Sequence, residues 1–324
     1  MTPAERIAEA LLGRRHVLLL NHVSPDGDCL GSTLALARAL WGRGQAATVG
    51  SADGVPETYR FLPGVDRIRQ ELPDDAAYDA VVFMECSTPD RAGALAARAA
   101  GVPLWVNIDH HLSNAGYGNI IYYDATAAAV AELVHPIVQA LAVTPDLGTA
   151  TCLLTALVTD TGSFRYAAVT ARTLTIAADL VAQGASPAEV YAQVYENRPA
   201  TALRLLGMAL SRLQVSADGR VAWTVVTPAM LQKSGATMEE SEGIVGALRE
   251  MGGVDVAALF KEEPDGVRVS LRARGAVRAH VVAEAFGGGG HAAAAGFTGR
   301  GPLDDVIRQT LEVVRRELGA AAAS

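Results

Sequence analysis

In the first half of the chain, hydrophobic residues come in short unbroken runs rather than in alternation. His16–Asn21 (HVLLLN), Gln45–Val49, Ala80–Met84 and Leu104–Ile108 are such runs. Continuous apolarity of this length predicts strands buried on both faces, as in a parallel sheet. Helical patterns intervene, notably over Cys29–Trp41, Ala127–Leu141 and Leu147–Val158. The rhythm predicts an α/β fold, with a mostly parallel N-terminal sheet flanked by helices.

The pattern then changes. Ala171–Gln183, Pro187–Tyr195 and Pro199–Leu213 read as consecutive helices. Ser186 is a good cap with Pro187 at the first helical position, and Pro199 opens the last helix in a similar way. These segments predict a helical connector over 187–214, between a domain over 1–186 and another over 215–324. In the last part, Arg220–Val226 and Val254–Glu262 are predicted strands. Gly266–Arg272 pairs with the latter across the turn Glu263-Pro264-Asp265-Gly266. Helices are predicted over Glu239–Glu250, Val277–Phe286 and Pro302–Leu318, giving a smaller α+β domain. GGGGHAAAAG and the Ala-rich tail are low-complexity segments.

Composition narrows the function classes. Half of the 324 residues are hydrophobic, which excludes a disordered chain and supplies core for about two domains. A net charge of −8 excludes a simple polycation that coats nucleic acid, but not a local basic face. Cys29, Cys86 and Cys152 form neither a disulfide framework nor a CxxC pair, which points to a reducing, cytoplasmic setting. No signal peptide or membrane-spanning segment is expected.

Candidate chemistry sits at the ends of the predicted strands. Asn21-His22-Val23-Ser24-Pro25-Asp26-Gly27-Asp28 follows the first strand, where open α/β sheets bind ligands. His22, Asp26 and Asp28 offer one imidazole and two carboxylates, a set suited to Mn²⁺ or Mg²⁺, and Gly27 is expected to turn the chain between the acids. The bland alternative is that the aspartates merely cap the next helix. Asp109-His110-His111 ends another strand. One histidine there can ligate a metal while its neighbour faces a reacting group, with Asp109 orienting an imidazole. Glu85 ends the strand Ala80–Met84, and Asp160 follows an apolar helix, where an acid needs a cation or another cause. Together the residue types suit a two-cation phosphoryl site.

A further constellation is Gly287-Gly288-Gly289-Gly290-His291, whose glycines allow close backbone approach to an anion. Around it, from Gly266 to Gly301, stand five arginines (Arg268, Arg272, Arg274, Arg278, Arg300) against one acid, Glu284. This is a modest basic face in an acidic protein.

HVSPDGD, IDHH, Glu85 with the following Arg91, and TDTGSFRY resemble the ordered motifs of DHH phosphoesterases. GGGGHAAAAG resembles the signature of their associated C-terminal nucleic-acid-binding domain. The layout is most similar to the bacterial nanoRNase branch, whose members degrade very short RNA and often dephosphorylate 3′-phosphoadenosine 5′-phosphate (pAp). The resemblance implies His22, Asp26, Asp28, Glu85, His110 and Asp160 as metal ligands. It places His111 and Arg91 at the scissile phosphate, and Arg272, Gly288, Gly289, Gly290 and His291 on the substrate. Two Mn²⁺ ions are implied, with Mg²⁺ or Co²⁺ as alternatives. A homodimer is compatible with the resemblance. One departure stands out: the family usually has Asp where this chain has Glu85. Other readings are a linear or cyclic dinucleotide phosphodiesterase, a RecJ-like single-strand DNA exonuclease, and a nucleotide sensor that lost catalysis through Glu85.

Overall fold

The run Val17–Leu20 forms a strand because it meets an apolar layer on each side. Val17 and Leu19 enter one buried cluster, and Leu18 and Leu20 enter another. The computed structural model describes residues 1–73, 75–142 and 146–323. Backbone contacts divide the chain into two units, Met1–Asn197 and Arg198–Ser324.

The first unit runs α1 (Pro3–Leu11), β1 (His16–Asn21), α2 (Gly27–Gly42), β2 (Ala46–Gly50), β3 (Ile68–Arg69), β4 (Ala80–Met84), β5 (Trp105–Asp109) and β6 (Ile120–Tyr123). Then come α3 (Ala131–Ala140), α4 (Leu147–Asp160), α5 (Ala171–Ala182) and α6 (Pro187–Tyr191). The six strands are all parallel, in the order β3-β2-β1-β4-β5-β6. The order reverses at β1 and β4, which makes the carboxyl ends of these two strands the sheet's switch point. Helices α1 to α4 supply the core on one face, and a 3₁₀ segment over Pro89–Ala99 covers the other.

Helix α2 owes its place to two glycines one turn apart. A Cβ at Gly27 would lie 2.5 Å from Thr159 Cγ2, and one at Gly31 would run into the Cys152 carbonyl oxygen. The missing side chains let α2 press against α4. The expectation that Gly27 turns the chain is therefore not met, because it already belongs to α2 and its role is close packing. Helix α3 starts at Ala131, later than the predicted Ala127, because Val130 and Ala131 give their N–H groups to the Asp28 carboxylate.

The second unit runs α7 (Ala200–Leu210), β7 (Gln214–Val215), β8 (Val221–Val226), α8 (Pro228–Ser234), α9 (Ile244–Arg249), β9 (Val256–Glu263) and β10 (Gly266–Ala273). It ends with α10 (Ala279–Glu284), β11 (Gly289–Gly290), β12 (Ala294–Gly299) and α11 (Leu303–Ala323). Its sheet order is β11-β12-β10-β9-β8-β7, antiparallel except for β8 with β9. One face packs under α10 and α11, and the other under α7, α8 and α9. The predicted hairpin is β9–β10. Several elements have no counterpart in the sequence reading: α1, the short strands β3 and β7, the edge strand β6, α8, and the hairpin β11–β12, which starts in GGGGHAAAAG and runs on to Gly299. The division at Asn197/Arg198 falls inside the 187–214 stretch, with α5 and α6 packed on α4 and α7 packed on α8 and β8. Among the described residues, no helix is long and apolar enough to cross a membrane.

Candidate metal centre

The loops leaving β1, β4 and β5 and the end of α4 bring six predicted ligands into one neighbourhood. His22 follows β1, and its Nδ1 lies 2.8 Å from the Val23 carbonyl oxygen. His110 follows β5, and its Nδ1 lies 2.9 Å from the Ala127 carbonyl oxygen. A carbonyl can only accept, so each Nδ1 carries a proton, and the nitrogen left to offer a lone pair to a cation, once the ring is neutral, is Nε2. Both Nε2 atoms face carboxylates. His22 Nε2 is 3.9 Å from Glu85 Oε2, and His110 Nε2 is 3.3 Å from Glu85 Oε1 and 3.5 Å from Asp160 Oδ2.

Glu85 therefore sits between two imidazoles with one oxygen toward each. It is buried, and its Oε2 accepts no hydrogen bond among the described residues. Its backbone is left-handed, at φ 53°, just past the end of β4. Ser24 within the His22–Asp28 loop, and Ser163 and Phe164 shortly after Asp160, also have positive φ. Strained non-glycine residues cost energy and gather where geometry must be held.

Asp26 and Asp28 do cap helices, and the capping leaves room for a second role. Asp26 is the N-cap of α2, accepting the Cys29 N–H on Oδ1 at 3.0 Å. Asp28 is buried and accepts three donors: Ser32 Oγ at 2.9 Å, Val130 N at 2.5 Å and Ala131 N at 3.1 Å. Asp28, His110 and Asp160 each place one donor atom within 4.8 Å of the others, and so do His22, Cys29 and Glu85. Cys29 is no anionic ligand as it stands, since burial pushes its thiol well above the usual range. Its Sγ points to the Met84 carbonyl oxygen.

The electrostatics ask for positive charge. Burial, then the neighbouring Asp160, pushes Asp28 up to about 7. Burial, then Asp28 and Asp26, pushes Glu85 well above the carboxylate range. Burial opposes protonation of His110, yet Glu85, Asp160 and Asp28 together raise it well above the usual imidazole value. Carboxylates crowded around imidazoles are relieved by divalent cations, which displace the proton held among them, and the oxygen and imidazole donors fit such ions. The donor set thus fits a metal centre.

His111 stands beside this cluster. Its Nδ1 is 2.7 Å from Asp109 Oδ1, which also accepts the N–H groups of His110 and His111. Asp109 Oδ2 accepts from Asn114 Nδ2 at 2.6 Å, and the same amide donates to Asn107 Oδ1 at 2.8 Å. Burial opposes ionisation of Asp109, but the bonds from His111 and Asn114 hold its carboxyl below the usual range. An ionised, buried Asp109 fixes the proton on Nδ1 of His111 and turns Nε2 to the other side of the ring. Arg91 is exposed, and its carbonyl oxygen accepts the Val23 N–H at 2.7 Å, tying the 3₁₀ segment to the His22 loop. Sequence reasoning missed Asn107 and Asn114. It placed Ser32 in the first turn of the helix after the His22–Asp28 loop, with an anion rather than Asp28 as partner, although a spacing of four residues, one helical turn, signals the Asp28 contact.

Arg272, Gly288, Gly289, Gly290 and His291 belong to the second unit. Arg272 is half-buried on β10 and pairs in register with Ala294. The glycine run is no flexible loop. Gly289 and Gly290 pair with Gly296 and Ala295, and the His291 N–H donates to the Ala294 carbonyl oxygen at 2.7 Å to close a tight turn.

Comparison with known proteins agrees with this arrangement. The "DHH family, N-terminal domain" model matches residues 16–182, and the "DHHA1 domain" model matches residues 218–320. A Thermus thermophilus protein named bifunctional oligoribonuclease and PAP phosphatase NrnA is 36% identical over 312 residues, covering 94% of this chain and 91% of the relative. A Bacillus subtilis protein of the same name is 28% identical over 284 residues, covering 86% and 88%. The crystal structure of an exopolyphosphatase-related protein from Bacteroides fragilis superposes with a TM-score of 0.90 at 23% identity, covering 99% of this chain and 97% of that one, and so shares the fold. With its strand-end histidines and acids, its matched N-terminal domain and a relative similar along almost its whole length, the chain belongs to the DHH family and carries a DHHA1 domain at its C-terminal end.

Proposed function

We propose that this protein is a Mn²⁺-dependent phosphoesterase that degrades short oligoribonucleotides to 5′-mononucleotides and dephosphorylates pAp to AMP. The observation that carries the metal part is the Glu85 carboxylate held between two imidazoles whose protons are fixed on the far nitrogens. The substrate class follows from the relatives, whose names give both activities and whose length this chain spans. In this reading His22, Asp26, Asp28, Glu85, His110 and Asp160 hold two divalent cations. When bound, these supply charge for the phosphoryl oxygens and acidify water.

The remaining steps belong to the chain's own side chains. His111, oriented through Nδ1 by Asp109, hydrogen-bonds the departing oxygen with Nε2 and delivers its proton. The ionised Asp109 stabilises the imidazolium that precedes this transfer. Arg91 offers its exposed guanidinium to the phosphate. Arg272, the Gly288–Gly290 segment and His291 hold the nucleotide part of the substrate. The buried, unbridged cysteines are in keeping with a cytoplasmic enzyme.

Incubation of the purified protein with Mn²⁺ and a labelled RNA dinucleotide is expected to release mononucleotide, and pAp to yield AMP. Chelation stops both, and Mg²⁺ or Co²⁺ in place of Mn²⁺ tests the ion. A folded, metal-loaded protein that releases neither product overturns the reading. His291→Ala tests the second unit. Losing one hydrogen bond to a charged group costs about 10- to 150-fold. The ratio of dinucleotide to bis-p-nitrophenyl phosphate turnover should fall by that order, since the artificial ester has no nucleotide to hold. An unchanged ratio places His291 outside substrate binding.

A further inference from the structure

A proline and a buried carboxylate meet where α3 begins. Pro136 lies inside α3 and has no N–H to give, so the Glu132 carbonyl oxygen, four residues earlier, lacks its helical partner. Arg172, at the start of α5, fills that gap: its Nη2 donates to this oxygen at 2.9 Å. The same guanidinium reaches two carboxylates. Its Nε lies 3.2 Å from Glu132 Oε2, and its Nη1 donates to Asp124 Oδ2 at 3.0 Å. Glu132 is only 2% exposed, and its Oε1 accepts from Thr173 Oγ1 at 2.6 Å. An apolar pair of similar volume often holds two helices as well as an ion pair with a buried member, so stability alone gives no reason for this cluster.

The stretch between its two anchor points supplies one. Asp124 directly follows β6 and Glu132 stands in the first turn of α3, so Arg172 ties both ends of the arch over 124–132 to α5. The middle of that arch orients two of the proposed ligands. The Ala127 carbonyl oxygen lies 2.9 Å from His110 Nδ1, and the Val130 and Ala131 N–H groups reach the Asp28 carboxylate at 2.5 and 3.1 Å. His110 follows β5 and Asp28 belongs to α2, so the arch is the fixture that these two side chains have in common. A planar fork of five donors can bridge three acceptors at once, which a lysine ammonium on its flexible stem does less well.

We infer that Arg172 and Glu132 are positioning residues of the metal centre, holding the 124–132 arch in the shape that aims the His110 ring and the Asp28 carboxylate at the cations. Neither residue is itself a proposed ligand, and both act through the backbone groups of Ala127, Val130 and Ala131. The inference rests on the reading of His110 and Asp28 as cation ligands, and it makes cation affinity depend on an ion pair between α3 and α5. Outer partners that fix the ring of a ligating histidine tune the metal in this way.

The test compares the full-length protein with Arg172→Met and with the double variant Arg172→Met, Glu132→Gln. Arg172→Met strands the buried Glu132 charge and should melt at clearly lower temperature. The double variant removes that charge, still offers Thr173 an acceptor, and should melt close to wild type. Its Mn²⁺ affinity, measured by titration calorimetry, should nonetheless stay about tenfold weaker than wild type, the lower end of the cost of losing a ligand's outer partner. A pair with a merely structural role would recover affinity together with melting temperature. Arg220→Met, which breaks the Arg220–Asp255 ion pair of the second unit, should leave Mn²⁺ affinity unchanged. In the metal-free protein, the His110 Nδ1–H resonance, sheltered from exchange by the Ala127 carbonyl, should be present in wild type and lost in the double variant. If the double variant does not fold, Arg172→Lys carries the test, since it keeps a charge beside Glu132 without the planar fork and should show the same losses. If wild type takes up no Mn²⁺ while the His110 resonance still vanishes in the variant, the metal reading fails and the positioning of the ring stands. A folded variant that binds Mn²⁺ as wild type does, or that keeps the His110 resonance, overturns the inference.

Discussion

Asp28 does two jobs with one carboxylate. It takes the Val130 and Ala131 N–H groups at the start of α3, and in the proposed reading it is also a ligand of the candidate metal centre beside His110 and Asp160. The two jobs separate on mutation. Asp28→Ala removes the proposed ligand and strands the buried Val130 and Ala131 N–H groups, each costing about 1–3 kcal/mol. Asp28→Asn keeps one acceptor oxygen for the helix but loses the charge. Both variants should lose turnover on every substrate. In a thermal melt in the presence of chelator, Asp28→Asn should stay close to wild type while Asp28→Ala unfolds at clearly lower temperature. Equal melting of the two variants would mean that Asp28 is not holding α3. Glu85, one methylene longer than the family's usual Asp, has its oxygens 3.3 and 3.9 Å from the two imidazole nitrogens. The longer side chain spans both rings in this chain, so the departure from the family pattern is accommodated by geometry.

At the scale of elements, the site depends on how closely α2 approaches α4. Gly31→Ala places a methyl against the Cys152 carbonyl oxygen and 3.1 Å from Ala156 Cβ. Overpacking of this kind costs about 1–3 kcal/mol. It should also part Asp28 on α2 from Asp160 on α4, weakening cation affinity measured by titration calorimetry, whereas Gly246→Ala, where a Cβ meets nothing within 4 Å, should leave affinity alone. Strands such as Val17–Leu20 were legible in the sequence because burial on both faces leaves an unbroken apolar run. The six candidate ligands could be picked out in the sequence because they sit at strand and helix ends and match the family's ordered motifs. The β11–β12 hairpin was hidden because glycine and alanine have weak strand preference, and only its pairing with β10 makes it a sheet. The Asn107–Asn114–Asp109 chain was hidden too, because its members meet through a loop whose course no periodicity encodes.

For the whole molecule, the crowded acids tie stability to pH. Asp28 is raised from its ordinary 3.8 to about 7 in the folded state. Between those values the cation-free folded protein keeps a proton that the unfolded chain has released, so this group's contribution to stability falls as pH rises through the window. Cation binding expels the proton, so apparent affinity should climb about tenfold per pH unit for each proton released, levelling off above about 7. Melting with and without Mn²⁺ at about pH 5 and about pH 7.5 should show the larger stabilisation at the higher value. A shift that is the same at both would remove Asp28 from the cation site. The strand order β3-β2-β1-β4-β5-β6 has a kinetic consequence as well. The proposed ligands run from His22 to Asp160, so no local segment can assemble the site before the sheet has formed. Contacts of such long range form late, and interactions absent from the folding transition state act on unfolding. Manganese should therefore slow the unfolding limb of a denaturant chevron while leaving the refolding limb where it is. The ion would then act as a latch on the finished molecule and take no part in nucleating it.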